Sequence, residues 1–436
     1  MKRMVYLFYQ CLLLFLFPCF LLFVIGRILF RPEYRDGMAE RWGVYSPDFF
    51  VPLSHRPIFW IHAVSVGEVL SSRSFIKRLR VAYPAAAIVF STGTPTGRKM
   101  VQEKLSEAVD RLIYLPFDYP WMTRAAVRSI SPTAFIFMET EIWPNLLHSL
   151  SERAIPAILL NGRISDRSFG KYRCVRLALR PILNQIALMM MQTERDARKI
   201  MALGAPSDRV ICSGNMKYDQ ATEQAPNVQW LHAHLDLKMG EEVMIAGSTH
   251  EGEEEFILDA YQRVVNAIGP RTLLIAPRHL TRLNAVETLL CERGCSVRRF
   301  SAAATCFSPS SDRPVILLDR LGALEQLYSV GDLIFVGGSL VPMGGHNPLE
   351  VAKYKRPVFF GPCMNNFLEI ADALKRSGGG IEIATGRELG LKMIELISNP
   401  ADYKKRGEAA YHVVVENGGA VERNVQAVVR LVGGGR

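Results

Sequence analysis

The residues of this chain best suited to chemistry stand at 346–350, His-Asn-Pro-Leu-Glu, behind Gly337-Gly338-Ser339 and Gly344-Gly345 and ahead of a long helical pattern. Glycines let a backbone come close to a ligand, and the first N–H groups of a helix have no internal partners. The turn is therefore expected to bind an anion such as phosphate. Glu350, about one turn into the helix, suits a pair of sugar hydroxyls. Asn347 to Glu350 thus predict a nucleotide-ribose seat, while His346 either contacts that ligand or orders the turn.

Carboxylates and cations elsewhere sit where apolar runs end. Glu68, in His62-Ala63-Val64-Ser65-Val66-Gly67-Glu68, is either a favourable helix-start acid or a general base held at a strand end. Glu139 and Glu141 flank Thr140 and share one face if the strand continues. Paired acids can hold a metal, but hard metals want further oxygen ligands and no D-x-D occurs in the chain, so substrate hydrogen bonding is the expectation and no metal site is predicted. Lys217 closes the last apolar run of the first half, as a linker charge or as a cation offsetting negative charge in a transition state. Arg278, after Pro277, is a guanidinium suited to phosphate. Leu321-Gly322-Ala323 opens another helix and offers backbone donors. Ser91 to Arg98 lacks the lysine and spacing of a phosphate-binding loop, so a helix cap is expected there.

The elements that must position these residues are legible as alternation. IFWIHAV, AAIVFSTGT, RLIYLPFD, TAFIFMET, AIPAILLNG, ALMMMQT and RVICSGN are short apolar runs separated by helical patterns. After a polar stretch from Tyr218 to Gln229, EVMIAGST, RTLLIAPRH, PVILLD, DLIFVGGS and PVFFGP repeat the scheme. This is the pattern of parallel sheets with crossover helices, whose ligands gather at the carboxyl ends of the strands. The fold class is α/β, with two Rossmann-like domains expected to face each other across a cleft.

The N-terminus differs in kind. Val5 to Phe30 is almost continuously apolar, long enough for a bilayer core of roughly 30 Å, and no small-residue cleavage site follows it. An uncleaved single-pass anchor is expected, and the basic cluster Arg27, Arg31, Arg35 and Arg41 favours a body on the cytoplasmic side. The net charge of +10 fits an anionic partner. Arg73, Lys77, Arg78 and Arg80 on the helix after Glu68 are expected to rest on anionic headgroups. The eight cysteines form no C-x-x-C pair, which points to buried, reduced thiols.

With these residues in hand, the chain closely resembles the 3-deoxy-D-manno-octulosonic acid (Kdo) transferases of bacterial lipopolysaccharide synthesis, glycosyltransferase family 30. HAVSVGE, STGTPTGR, PFDYP, ETEIWPN, NGRIS, GNMKYD, GSTHEGE, APRH and GGSLVPMGGHNPLE carry the likeness, in the family's order. The resemblance implies a GT-B enzyme that moves one or more Kdo residues from CMP-Kdo to the lipid A precursor lipid IVA at the inner membrane. It implies inversion, Glu68 as general base, and Glu139 and Lys217 as transition-state stabilisers. Pro277, Arg278, Leu321, Gly322, Ala323, Asn347, Pro348, Leu349 and Glu350 would bind CMP. No cofactor, metal or nucleic acid is implied, and Arg163, Arg167, Lys171 and Arg173 become candidates for acceptor phosphates. The implied domains are an anchor (1–31), an acceptor domain (32–218), a linker (219–229) and a CMP-Kdo domain (230–436) whose last helix returns to the first. The rival readings are a nucleotide-sugar epimerase of the same architecture and a non-catalytic lipid-binding protein.

Overall fold

A computed structural model describes residues 2–220, 227–237, 241–301 and 314–433. Most of the expected linker and Cys306 lie outside the described residues. The chain forms two compact units, Met1–Gln220 with Gly418–Arg436, and Ala221–Asn417.

In the first unit, β1 (Ile58–His62), β2 (Ala87–Thr92), β3 (Arg111–Tyr114), β4 (Ala134–Met138), β5 (Ala157–Gly162), β6 (Ile186–Met191) and β7 (Val210–Cys212) form one parallel sheet. Their order is β3-β2-β1-β4-β5-β6-β7. In the second, β8 (Val243–Thr249), β9 (Thr272–Pro277), β10 (Val297–Arg299), β11 (Val315–Leu317), β12 (Leu333–Val336), β13 (Val358–Phe360) and β14 (Gly380–Glu382) lie in the order β10-β11-β9-β8-β12-β13-β14, again all parallel. The central strands are buried throughout, which is why they read as unbroken apolar runs. Strand order reverses between β1 and β4 in one sheet and between β8 and β12 in the other. Loops leaving those strands diverge to opposite faces and open a crevice, so these are the positions for ligands.

Every apolar run named from the sequence became a strand. The strands β10 and β14 were not foreseen, because each is a three-residue edge strand with partly exposed positions. β4 also stops at Met138. Glu139 turns into the left-handed region at φ 52°, so Glu139 and Glu141 do not continue a strand.

The helix Ala420–Gly433 belongs to the first unit and packs against the helix Val66–Ala82. Asp219 caps it, accepting from the Val421 N–H at 2.6 Å, and Arg423 donates to the Ser213 carbonyl at 2.8 Å. This docking alters the expectation for the basic face of Val66–Ala82. Arg78 pairs with Glu422 of the C-terminal helix, and Arg80 pairs with Asp110 at 2.5 Å, so both also have acidic partners within the unit. Among the described residues no cysteine is in a disulfide, but five of the seven are exposed rather than buried.

The apolar N-terminal helix runs from Lys2 to Phe30, long enough to cross a membrane. It does not project from the body. Tyr6 donates to the Pro144 carbonyl at 3.1 Å, Tyr9 donates to Asp118 at 3.0 Å, and Phe17 and Phe20 pack on the rings of Phe117, Tyr119 and Trp121. Asp118 also accepts from Asn145 N (3.0 Å) and Leu146 N (2.8 Å), tying the N-terminal helix to the start of the helix Pro144–Ser151.

Candidate active site

In the first unit the polar groups collect at the carboxyl ends of β1, β4, β5 and β7. Glu68 lies in the first turn of the helix Val66–Ala82, in a capping box with Ser65. Its Oε2 accepts from Val64 N at 3.0 Å, and its Oε1 accepts from Ser65 N at 3.3 Å and Ser65 Oγ at 2.7 Å. Both readings of Glu68 are thus physically open at once. A carboxylate has about four lone-pair positions, so three donors leave one, on Oε2.

Glu139 and Glu141 sit within electrostatic range of Glu68. Burial first, then Glu68, push the Glu139 carboxyl up, against the pull of Lys217 and Arg163. Burial, then Glu68 and Glu139, push Glu141 up to about 7. Three acids share a partly dry site with two cations, which is the way a fold obtains a proton acceptor and a proton holder side by side. Thr140 Oγ1 donates to the Arg163 carbonyl. Asn161, in the left-handed region at φ 55°, accepts from Met216 N at 3.1 Å, and Asn215 Oδ1 accepts from Lys217 N at 3.0 Å. Asn161 therefore positions the turn that carries Lys217, a role that sequence pattern could not reveal because it depends on a contact fifty-five residues away.

At the cap of the helix Pro95–Lys104, Thr94 Oγ1 accepts from Gly97 N at 3.1 Å, as expected. Beside it is a cavity of about 630 Å³, lined by Thr94, Thr96, Arg27, Arg31, Phe23 and Phe30.

The second unit places Arg278 after β9, His250 after β8, and His346 and Glu350 after β12. Part of the glycine-rich loop, Gly338 to Leu340, is held from within the unit. Glu253, fully buried, accepts from His250 N (2.9 Å), Gly338 N (2.7 Å), Ser339 N (3.0 Å) and Leu340 N (2.9 Å). Gly345 N donates to the Gly338 carbonyl at 2.7 Å. The loop is an anion nest, but an internal carboxylate occupies it. Gly337 is needed for that approach, since a Cβ there would lie 2.6 Å from Ser248 O.

The helix after His346 is also shorter than its pattern suggested, Leu349–Ala352, and Leu349 N is taken by Asn347 Oδ1 at 3.2 Å. Leu321-Gly322-Ala323 likewise precedes only the four-residue helix Leu324–Leu327. Arg278 is exposed and lies within electrostatic range of both His346 and Glu350. Burial, then the Glu325 carboxylate, push Glu350 up to about 7, against Lys353, Arg278 and Asn347. Glu325 pairs with Lys353 at 2.5 Å, which brings the 321–325 and 347–353 segments together.

His346 Nε2 lies 2.9 Å from His250 Nε2, so one ring donates and the other accepts. Burial, then Arg278 and the neighbouring imidazoles, lower His346 to about 3, and the ring is neutral. It orders the turn through His250. Among the described residues no group of three His, Cys, Asp or Glu side chains is placed to hold a metal ion.

Residues 36–220 match the family model of the 3-deoxy-D-manno-octulosonic-acid (Kdo) transferases. The chain is 36% identical over 417 residues to the 3-deoxy-D-manno-octulosonic acid transferase of Haemophilus influenzae, covering 95% of this chain and 96% of that one. The chain belongs to the Kdo transferase family. It is 30% identical over 389 residues to the Rickettsia felis 3-deoxy-D-manno-octulosonic acid transferase, 86% of this chain and 80% of that one. The solved structure of UDP-GlcNAc 2-epimerase from Neisseria meningitidis bound to UDP-GlcNAc superposes with a TM-score of 0.58 over 86% of this chain and all of that one, at 14% identity. That likeness establishes the fold alone, GT-B. The chain is accordingly a Kdo glycosyltransferase of lipopolysaccharide synthesis.

Proposed function

We propose that this Kdo transferase takes CMP-Kdo as donor and the lipid A precursor lipid IVA as acceptor, and transfers Kdo with inversion and without a metal. The observation that carries the reading is the cluster of Glu68, Glu139 and Glu141 with Lys217 and Arg163 at the reversal of the first sheet. In this reading the remaining lone pair of Glu68 Oε2 takes the proton of a glucosamine hydroxyl. The hydroxyl oxygen bonds to the anomeric carbon of Kdo from the face opposite the phosphate, and the bond to phosphate breaks to release CMP. Glu139 and Lys217 stabilise the charge that develops.

The second unit supplies the donor seat in the same reading. Arg278, with Pro277, meets the single phosphate of CMP. Glu350, with Asn347, Pro348 and Leu349, takes the ribose hydroxyls, and Leu321 to Ala323 line the seat beside Glu325. The apolar N-terminal helix holds the enzyme at the inner membrane, with the body on the cytoplasmic side, where the acceptor lipid is presented.

The decisive experiment is Glu68→Ala. It is expected to keep CMP-Kdo binding and to lose transfer, read by titration of the donor and by mass spectrometry of the lipid product. Transfer at the wild-type rate would remove Glu68 as the base.

A further inference from the structure

The cavity of about 630 Å³ beside the helix Pro95–Lys104 has walls of three kinds. Phe23 and Phe30, 59% and 83% exposed, make an apolar wall at the end of the N-terminal helix. Arg27 and Arg31 make a cationic one, where Glu33, also in the lining, engages Arg31 at 3.7 Å. Thr94 and Thr96 make the third, at the start of the helix Pro95–Lys104. Arg27 and Arg31 follow Phe23 by about one and two helical turns. The cavity therefore stands where an apolar anchor passes from hydrocarbon to headgroups.

Its donors are suited to an anion. Arg27 stacks on Tyr34 at 4.6 Å and on Phe23 at 5.2 Å, contacts that use the face of the guanidinium. Its N–H edge has no hydrogen-bonded or ionic partner among the described residues. Arg41 is a second cation, behind the lining: it is 6% exposed, it donates from Nη1 to the Gly93 carbonyl at 3.2 Å, and its Nε and Nη2 meet no partner. Its Cζ lies 5.9 Å from the centre of the Tyr34 ring, which lines the cavity. A buried guanidinium with unmet donors is costly unless negative charge comes close. At the helix start, Thr94 Oγ1 takes Gly97 N at 3.1 Å, while Thr96 N, at the second helical position, has no partner within the helix.

The cavity also adjoins the acid cluster. Thr94 Oγ1 donates to the Val64 carbonyl at 3.1 Å, and Val64 N donates to Glu68 Oε2 at 3.0 Å. A single residue separates the cavity wall from the carboxylate read as the base, a span of at most about 10 Å. That is the scale of a sugar ring carrying a phosphate. We propose that this cavity binds a phosphate of the acylated sugar acceptor, with Arg27 and the turn from Thr94 to Thr96 on the phosphate and Phe23 and Phe30 along an acyl chain. The proposal rests on the reading of a phosphorylated lipid as acceptor. A bilayer phospholipid offers the same chemistry, phosphate beside an acyl chain, and the test separates the two.

The test uses the full chain in neutral detergent micelles, with lipid IVA and with the same lipid stripped of phosphate by a phosphatase. Arg27→Gln is expected to raise KM for the phosphorylated acceptor roughly 10–100-fold, with a smaller change in kcat, and to converge with the wild type on the stripped one. An equal loss on both acceptors would mean that Arg27 supports the helix and not the phosphate, and would overturn the proposal. Thr96→Glu is the second variant. A carboxylate at a helix start stabilises the helix, so the fold is kept while negative charge enters the seat. Its KM for the phosphorylated acceptor should rise as well, and a wild-type KM would overturn the proposal. Phosphatidylglycerol added to the micelles is expected to leave the difference between wild type and Arg27→Gln in place. If it abolishes that difference, a bilayer lipid is the occupant and the acceptor assignment falls. A wild-type enzyme that binds CMP-Kdo but transfers to neither lipid would overturn the acceptor reading itself, whereas transfer that ignores phosphate overturns this site alone.

Discussion

Glu68 and Glu253 occupy equivalent places in the two units: each stands in the first turn of the helix that follows a central strand and folds back toward the loop behind it. Their surroundings differ. Glu253 is fully buried and accepts four backbone N–H bonds, filling its lone-pair positions. Glu68 accepts from two backbone N–H groups and one hydroxyl, and keeps a position unfilled. One carboxylate therefore closes a loop, and the other closes a helix start while still able to take a proton. The same motif of an acid at a helix start becomes architecture or chemistry according to how many donors surround it.

Glu68→Gln is the sharpest attack on that comparison. Glutamine also serves at the third position of a capping box, so the helix start is retained while the base is removed. Transfer is expected to fall by roughly 10²–10⁴-fold with little change in the unfolding midpoint. An active Gln variant would make Glu68 a cap and nothing more. Glu253→Ala should show the reverse. Four buried N–H groups lose their acceptor, and stability should drop by about 3 kcal/mol in urea unfolding, each orphan costing about 1–3 kcal/mol before water reaches it. A neutral result would mean that the glycine-rich loop is open to external anions after all.

Arg278→Ala tests whether the second unit relies on this side chain instead of its loop. CMP affinity is expected to weaken by roughly 10–100-fold in calorimetry, the size of a lost charge-assisted bond. Unchanged affinity would return the phosphate to backbone donors.

The smallest effects separate the two clusters by pH. Glu141 titrates near 7 in the folded chain, above its usual 4.5. The folded chain therefore holds a proton that the unfolded one has released, and stability falls as pH rises from about 4.5 to about 7. Glu141→Gln should remove that loss, gaining on the order of 1 kcal/mol at pH 8 and nothing at pH 4, the figure being reduced for partial exposure. His346, lowered to about 3 from 6.5, works in the opposite direction. The unfolded chain binds its proton first, so this contribution is lost as pH falls below 6.5. His346→Gln should flatten that acid limb by about 1 kcal/mol in melts at pH 5. Equal slopes for both variants would erase the distinction.

The alternation of apolar runs and helical patterns was enough to locate twelve strands, because a strand buried on both faces has no polar residue to interrupt it. It missed β10 and β14, where Arg298 and Arg299 or a solitary Gly-Ile-Glu make a three-residue edge. Glu68, Glu139, Lys217 and Arg278 were legible because each is a charge placed at the end of an apolar run. Asn161 and Asp118 were not, since their roles consist of bonds to Met216 and to Tyr9, far away in the chain.

By itself the order of residues determined the two parallel sheets, the family and the identity of the acids and cations at the strand ends. These follow from periodicity and side-chain type, which are local. Only the tertiary structure decided which groups are already taken: Glu253 in the nest of Gly338 to Leu340, Arg78 against Glu422, and the N-terminal helix along Asp118 and Tyr119. Hydrogen bonds and ion pairs saturate, and whether a group is still available depends on what the fold brings to it from elsewhere in the chain.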